Sequence, residues 1–166
     1  MKERYEFDEV TLLSAFAVGA PGKRTFFLLI GQKEEWVRVW LEKVQLEALA
    51  LAIEQFLFTL SKEHHTSPGK IGKTLSDNVP PGMPSAELEI DQITLGYDRE
   101  IAALNFEVHS LGPQKLDHVV LNCRVTLAHL KNLGNQARSI CAAGRPLCIL
   151  CGRPIDPTGH ICPSSN

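Results

Sequence analysis

Thr25-Phe-Phe-Leu-Leu-Ile30, Glu35-Trp36-Val-Arg-Val-Trp40-Leu41 and the run from Lys43 to Ser61 decide the fold class, because the hydrophobic period changes between them. The first segment is a continuous apolar stretch stopped by Gly31-Gln-Lys33, which predicts a strand. The second alternates, with Val37, Val39 and Leu41 on one face and Trp36, Arg38 and Trp40 on the other, the period of two that belongs to a strand. From Lys43 the apolar residues Leu46, Leu49, Ala50, Ile53, Phe56, Leu57 and Leu60 recur at three and four, which predicts an amphipathic helix. Upstream, Tyr5-Glu-Phe7 leads into Val10 to Val18, read as one further strand ending at Gly19. In Ala20-Pro21-Gly22-Lys23, proline followed by glycine suits the two central positions of a type II turn. Three strands joined by short turns predict an antiparallel meander with the helix on one face.

Working outward, residues Lys62 to Ser85 are rich in Pro and Gly and poor in apolar residues, and predict a long, mobile connection. Its His64-His65 pair reads as solvated rather than metal-binding. The pattern then repeats. Leu88 to Tyr97 predicts a strand, Asp98-Arg99-Glu100 a turn, Ile101 to His109 a second strand, Gly112-Pro113 a break, and His118 to Val125 a third. A helix over Thr126 to Ala143 follows, with Leu127, Leu130, Leu133, Ala137, Ile140 and Cys141 on its apolar stripe, Thr126 as N-cap and Gly144 as a glycine C-cap. The expected class is α+β: antiparallel sheet or sheets built from two βββα units, with both helices packed on the sheet. One domain is expected over 1–144, with pseudo-repeats 1–62 and 85–144 about a linker at 63–84, then a tail at 145–166. Placing Leu46 on Leu127 also places Leu49 on Leu130, which suggests a duplication.

The tail demands a particular chemistry. Cys148-Ile-Leu-Cys151-Gly152 and His160-Ile-Cys162 supply three thiolates and an imidazole around a turn-rich loop, a set suited to one tetrahedral, structural Zn²⁺ per chain. Gly152 allows the positive φ that the turn requires, and His160 and Cys162, two apart, project to the same side of extended backbone. An iron–sulfur cluster and a redox Cys-x-x-Cys pair are the alternatives. A redox pair usually opens a helix, and Gly152, Pro154 and Pro157 oppose one here. A disulfide sits poorly with five cysteines and no leader sequence. Cys123 and Cys141 read as buried small hydrophobes.

A net charge of −2 disfavours a general nucleic-acid or anionic-membrane binder, although Lys131, Arg138, Arg145 and Arg153 leave the C-terminal end locally basic. No run of apolar residues reads as membrane-spanning, and Met1 to Glu6 lacks a signal-peptide core, so a reducing cytoplasm is expected. Gly19-Ala-Pro-Gly22-Lys23-Arg24-Thr25 is not a phosphate-binding P-loop. Arg24 stands where Ser or Thr should follow the lysine, and a strand follows instead of a helix. Even so, Lys23, Arg24 and Thr25 at a loop tip and Glu42, Lys43 and Gln45 at a helix start could share one end of the sheet and bind an anionic group. No nucleophile elbow or acid–base pair is recognisable. The paired tryptophans read as sheet packing or a partner surface.

The chain resembles an uncharacterised bacterial family, the domain of unknown function DUF3090. The resemblance rests on Tyr5-x-Phe7 with Val18-Gly-x-Pro-Gly22-x-Arg24-Thr25-Phe-Phe-Leu28, on Leu41-Glu42-Lys43-x-Gln45, and on Gly144-Arg-Pro-x-Cys148-x-x-Cys151-Gly-x-Pro-x-Asp156-Pro-x-Gly-His160-x-Cys162-Pro. Ile149 departs from the proline usual after the first cysteine and leaves the ligands untouched. The resemblance implies a bacterial cytosolic protein and lends no activity. The expected function is a zinc-binding adaptor with protein partners and no membrane association. The first alternative is an enzyme or small anionic-ligand binder using the Lys23–Thr25 and Glu42–Gln45 end, and the second is nucleic-acid binding through the basic tail. A deep polar pocket at the Arg24 end would favour the first alternative, and a flat surface there would favour docking.

Overall fold

The computed structural model describes residues 3–64, 79–111, 118–156 and 158–165. Seven strands and two helices follow one another as β1 (Glu3–Phe7), β2 (Leu12–Val18), β3 (Thr25–Gly31), β4 (Trp36–Leu41), α1 (Lys43–His64), β5 (Ala86–Asp98), β6 (Ala103–Leu111), β7 (His118–Val125) and α2 (Leu127–Ala142). The strands form one sheet in the order β1-β7-β6-β5-β4-β3-β2.

Two features of this order correct the sequence expectation of a purely antiparallel sheet from two βββα units. Residues 5–18 are two strands instead of one. The charged pair Asp8-Glu9 breaks the apolar run, and β1 crosses to the far edge to pair parallel with β7, Glu3 opposite Val119 and Phe7 opposite Cys123. Four strands therefore precede α1. The second correction lies mid-sheet, where β4 and β5 pair in parallel from Val37↔Ala86 to Trp40↔Glu89. The connection containing α1 returns the chain to the end where β4 began, and a parallel neighbour needs such a crossover. The remaining pairings, β2–β3, β3–β4, β5–β6 and β6–β7, are antiparallel, so the sheet is mixed.

Alternation along the strands settles where the core lies. Val37, Val39 and Leu41 of β4 join Leu28 and Ile30 of β3, Phe106 and Val108 of β6, and Leu121 and Cys123 of β7 on one buried face. Both helices pack there, α1 through Leu46, Leu49, Ala50, Ile53 and Leu60 and α2 through Leu130, Leu133 and Ala137. The helices meet at Gly134, where a Cβ would lie 3.1 Å from Ile53 Cγ2. Such close approach accounts for a glycine in mid-helix despite its cost of about 1 kcal/mol relative to alanine. At the β2 edge, Gln136 Oε1 of α2 accepts the Ala15 N–H at 3.0 Å, so the helix occupies a group that an open edge would present. On the opposite face Leu12, Phe27, Leu29 and Trp36 form a second cluster, with the Arg38 guanidinium over the rings of Phe27, Trp36 and Trp40 and paired with Glu87 across the strands.

The turn expected over 98–100 extends to Ala102, held at φ +48°, and this displaces β6 two residues downstream. Thr126 caps α2 as expected: its hydroxyl accepts the His129 N–H at 3.1 Å, and His129 Nδ1 accepts the Thr126 N–H in return. By length and composition α1 is apolar enough to cross a membrane, which reading the apolar runs missed; in this fold one stripe of it is core. His65, most of the expected linker and the Gly112-Pro113 break lie outside the described residues.

Candidate metal centre and an adjoining basic cavity

After α2 the described residues form no further helix or named strand, and their backbone closes on itself instead. Cys148 N–H donates to Arg153 O and Gly152 N–H donates to Cys148 O, both at 2.8 Å, while Leu147 and Pro154 form an isolated bridge. Gly152 sits at φ +72°, the left-handed conformation its position after Cys-x-x-Cys was expected to need. A second turn, closed by Gly159 N–H on Asp156 O at 2.9 Å with Gly159 at φ +105°, brings His160 and Cys162 back toward the first pair.

The result is a cluster of one atom each from Cys148, Cys151, His160 and Cys162, all within 4.8 Å of one another. Bonds of ~2.3 Å from a tetrahedral Zn²⁺ would place two sulfurs ~3.8 Å apart. Cys148 Sγ and Cys162 Sγ are 3.8 Å apart, and Cys151 Sγ lies 3.3 Å from His160 Nε2. The donor set and its spacing therefore fit a single metal ion. Backbone N–H groups of Cys151 and Leu150 lower the Cys148 thiol to about 6, in the direction of the thiolate that a metal binds, whereas burial raises Cys162. The other two cysteines stay apart from the cluster. Cys123 is buried, its Sγ directed to Phe106 O, and burial pushes it up to about 12. Cys141 is half-buried and also raised, by burial first, with Glu47 adding to the effect and Lys43 and Arg24 opposing it.

Lys43 and Arg24 belong to a second feature. Three junctions meet at one end of the sheet: the β2–β3 turn, the β4–α1 joint and the exit from α2. They enclose a cavity of about 400 Å³. Arg24 and Thr25 come from the first junction, Glu42 and Lys43 from the second, and Arg145 from the third, with Phe26 and Leu41 as apolar walls. The turn has the expected type II form, with Gly22 at φ +91° and Lys23 N–H on Ala20 O at 2.9 Å. Arg24 Nη2 donates to Ile140 O at 2.9 Å, a cation on the last carbonyls of α2, while its guanidinium covers the Phe26 ring. Arg145 Nη1 lies 2.8 Å from Asp156 Oδ1 in the C-terminal tail.

Four of the six sequence candidates for ligand binding, Arg24, Thr25, Glu42 and Lys43, therefore line one cavity, and two do not. Lys23 is exposed at the turn outside it. Gln45 is occupied at the helix start, its Oε1 accepting the Glu42 N–H at 2.7 Å. Arg145 and Gly144 were missed as lining residues. The signal was the Gly-Arg pair at the helix exit, where Gly144 is expected as a glycine C-cap. Gly144 is not left-handed, and Ala143 is the C-cap residue. Its lack of a side chain serves close approach instead: a Cβ there would lie 2.8 Å from Lys43 Nζ and 3.3 Å from Arg24 Nη2.

Comparison with known proteins adds a family. A family model described as "Protein of unknown function (DUF3090)" matches residues 5–162 of the chain. No curated protein and no solved structure matches it.

Proposed function

We propose a docking role for this protein, which belongs to the DUF3090 family: its tail is a structural zinc centre that presents an apolar surface to a protein partner. Three thiolates and an imidazole complete a tetrahedral site and leave no position for a reactive water, which supports a structural ion. A mononuclear ion suits four ligand atoms within 4.8 Å, whereas a cluster with bridging sulfides needs its ligand sulfurs spread further apart. Thiolates held this way are at home in a reducing cytoplasm.

The observation that carries the docking role is the exposure of the aliphatic side chains between the ligands. Ile149 is 98% exposed and Ile161 96%, with Leu147 and Leu150 also largely bare. The loops that carry the four ligands leave these side chains outward. On a backbone fixed by a metal they lose little further entropy when an apolar groove closes over them. Nucleic acid finds less support at this end, because Arg145 is paired with Asp156 and the exposed Arg153 stands among aliphatic side chains rather than in a cationic patch. By the criterion set above, the cavity at the Arg24 end favours the small-ligand alternative for that surface, so docking is proposed for the tail alone.

The test uses metal-loaded full-length protein and an Ile149→Ser/Ile161→Ser double variant as baits in native lysate. A protein held in stoichiometric amount by the wild type and released by the variant, at unchanged zinc content, supports docking. Identical retention by both baits, or retention by neither, overturns it.

A further inference from the structure

The basic cavity poses a question that packing alone does not answer. Arg24, Lys43 and Arg145 face Glu42, three positive charges against one negative, in a space of about 400 Å³. Two of the cations have structural employment, Arg24 on Ile140 O and Arg145 on Asp156. Lys43 has none: it is half-buried and makes no hydrogen bond or ion pair among the described residues. Its ammonium and the Arg24 guanidinium converge on the bare backbone of Gly144, with Nζ and Nη2 no more than about 6 Å apart, since both lie within 3.3 Å of the same point. Like charges so placed repel each other, and partial burial strips water that would relieve them. An anion between them would relieve that repulsion.

We infer that this cavity binds the phosphate group of a small phosphorylated metabolite. Arg24 retains guanidinium N–H groups beyond the one given to Ile140, and its planar fork suits two oxygens of one phosphate. Lys43 supplies a point charge from a second direction, and the N-terminus of α1, offset in part by Glu42 just before it, opens at the same end. A dianionic, tetrahedral group matches such convergent cations better than a single planar carboxylate. The cavity is within the ~300–1,000 Å³ range of small-ligand sites and larger than a bare phosphate fills. The rest of the molecule lies between Phe26 and Leu41, with the Glu42 carboxylate available to accept from a hydroxyl or amine. Arg145 closes the third side and is held there by Asp156, so the metal tail forms one wall of the site.

The experiment is calorimetric titration of the full-length, metal-loaded protein with inorganic phosphate and with a panel of sugar and nucleoside monophosphates, alongside citrate as a carboxylate control. Lys43→Gln is the informative variant, because Lys43 makes no hydrogen bond or ion pair among the described residues and its loss should leave the fold intact; Arg24→Gln also uncaps α2. The expected result is saturable phosphate binding, a monophosphate ester at least tenfold tighter than inorganic phosphate, and about a tenfold loss in Lys43→Gln at unchanged thermal midpoint of the free protein. No saturable binding of any phosphate compound overturns the inference. So does equal affinity in Lys43→Gln, or preference for citrate over every phosphate.

Discussion

Arg145 Nη1 and Asp156 Oδ1 meet at 2.8 Å, and this contact joins the basic cavity to the turn between the two halves of the Cys/His cluster. Asp156 is the acid nearest the ligands in sequence on this loop, yet it faces the arginine and is not one of the four clustered donors. Asp156→Asn should therefore keep about one zinc per chain. Both side chains are partly solvated, so the change should lower unfolding free energy by no more than about 1 kcal/mol. Metal analysis and denaturant titration of the purified variant check both points; loss of metal would make Asp156 a ligand.

Gly134 sets the distance between the helices. Any larger side chain must push Ile53 aside or force the helices apart, because a Cβ already lies at 3.1 Å. Gly134→Leu should destabilise by about 1–3 kcal/mol through overpacking, despite the better helix propensity of leucine. Equilibrium denaturation should show this as a lower midpoint with the slope retained.

Cys123 makes stability depend on alkaline pH. The thiol ionises near 9.0 when free and only at about 12 in the buried site, so the folded state favours its neutral form. A group raised in this way contributes fully below pH 9, and that contribution is lost as pH rises through 9 toward 12. Denaturant midpoints should fall between pH 8 and pH 10.5, and Cys123→Ala should flatten part of that slope. A thiol reagent at pH 8 should leave Cys123 unmodified until the chain unfolds.

Thr126 and His129 satisfy each other's backbone N–H groups at the start of α2. Thr126→Ala removes one half of this exchange and should cost about 1 kcal/mol. Thr126→Ser should retain most of that stability, which separates capping from the loss of a methyl group; equal losses in thermal melts of the two variants would contradict the assignment.

How much of this was legible in the sequence depended on the range of the interaction concerned. β4 announced both its faces through Val37, Val39 and Leu41 against Trp36, Arg38 and Trp40, because a period of two is a local property. The helices were legible for the same reason, and so was the grouping of Cys148, Cys151, His160 and Cys162, whose spacing is set within fifteen residues. Strand partners are a matter of long-range pairing. Nothing in Tyr5-Glu-Phe7 says that it leaves its neighbour β2 for the opposite edge, or that β5 will lie parallel to β4. The cavity was half legible. Arg24 and Lys43 stood out at a turn tip and a helix start, but Arg145 enters only because α2 ends beside them, and Gly144 conceals a packing role behind its familiar place at a helix end. Gln45 shows the converse, a polar residue in the right stretch whose side chain caps the helix instead of facing a ligand.

The most direct test is the metal content of full-length protein purified without affinity metals, measured by elemental analysis beside Cys151→Ser. The expected result is about one zinc per chain in the wild type and none in the variant. Metal-free wild type with an intact tail and reduced thiols would contradict the zinc centre, as would stoichiometric iron with visible absorption.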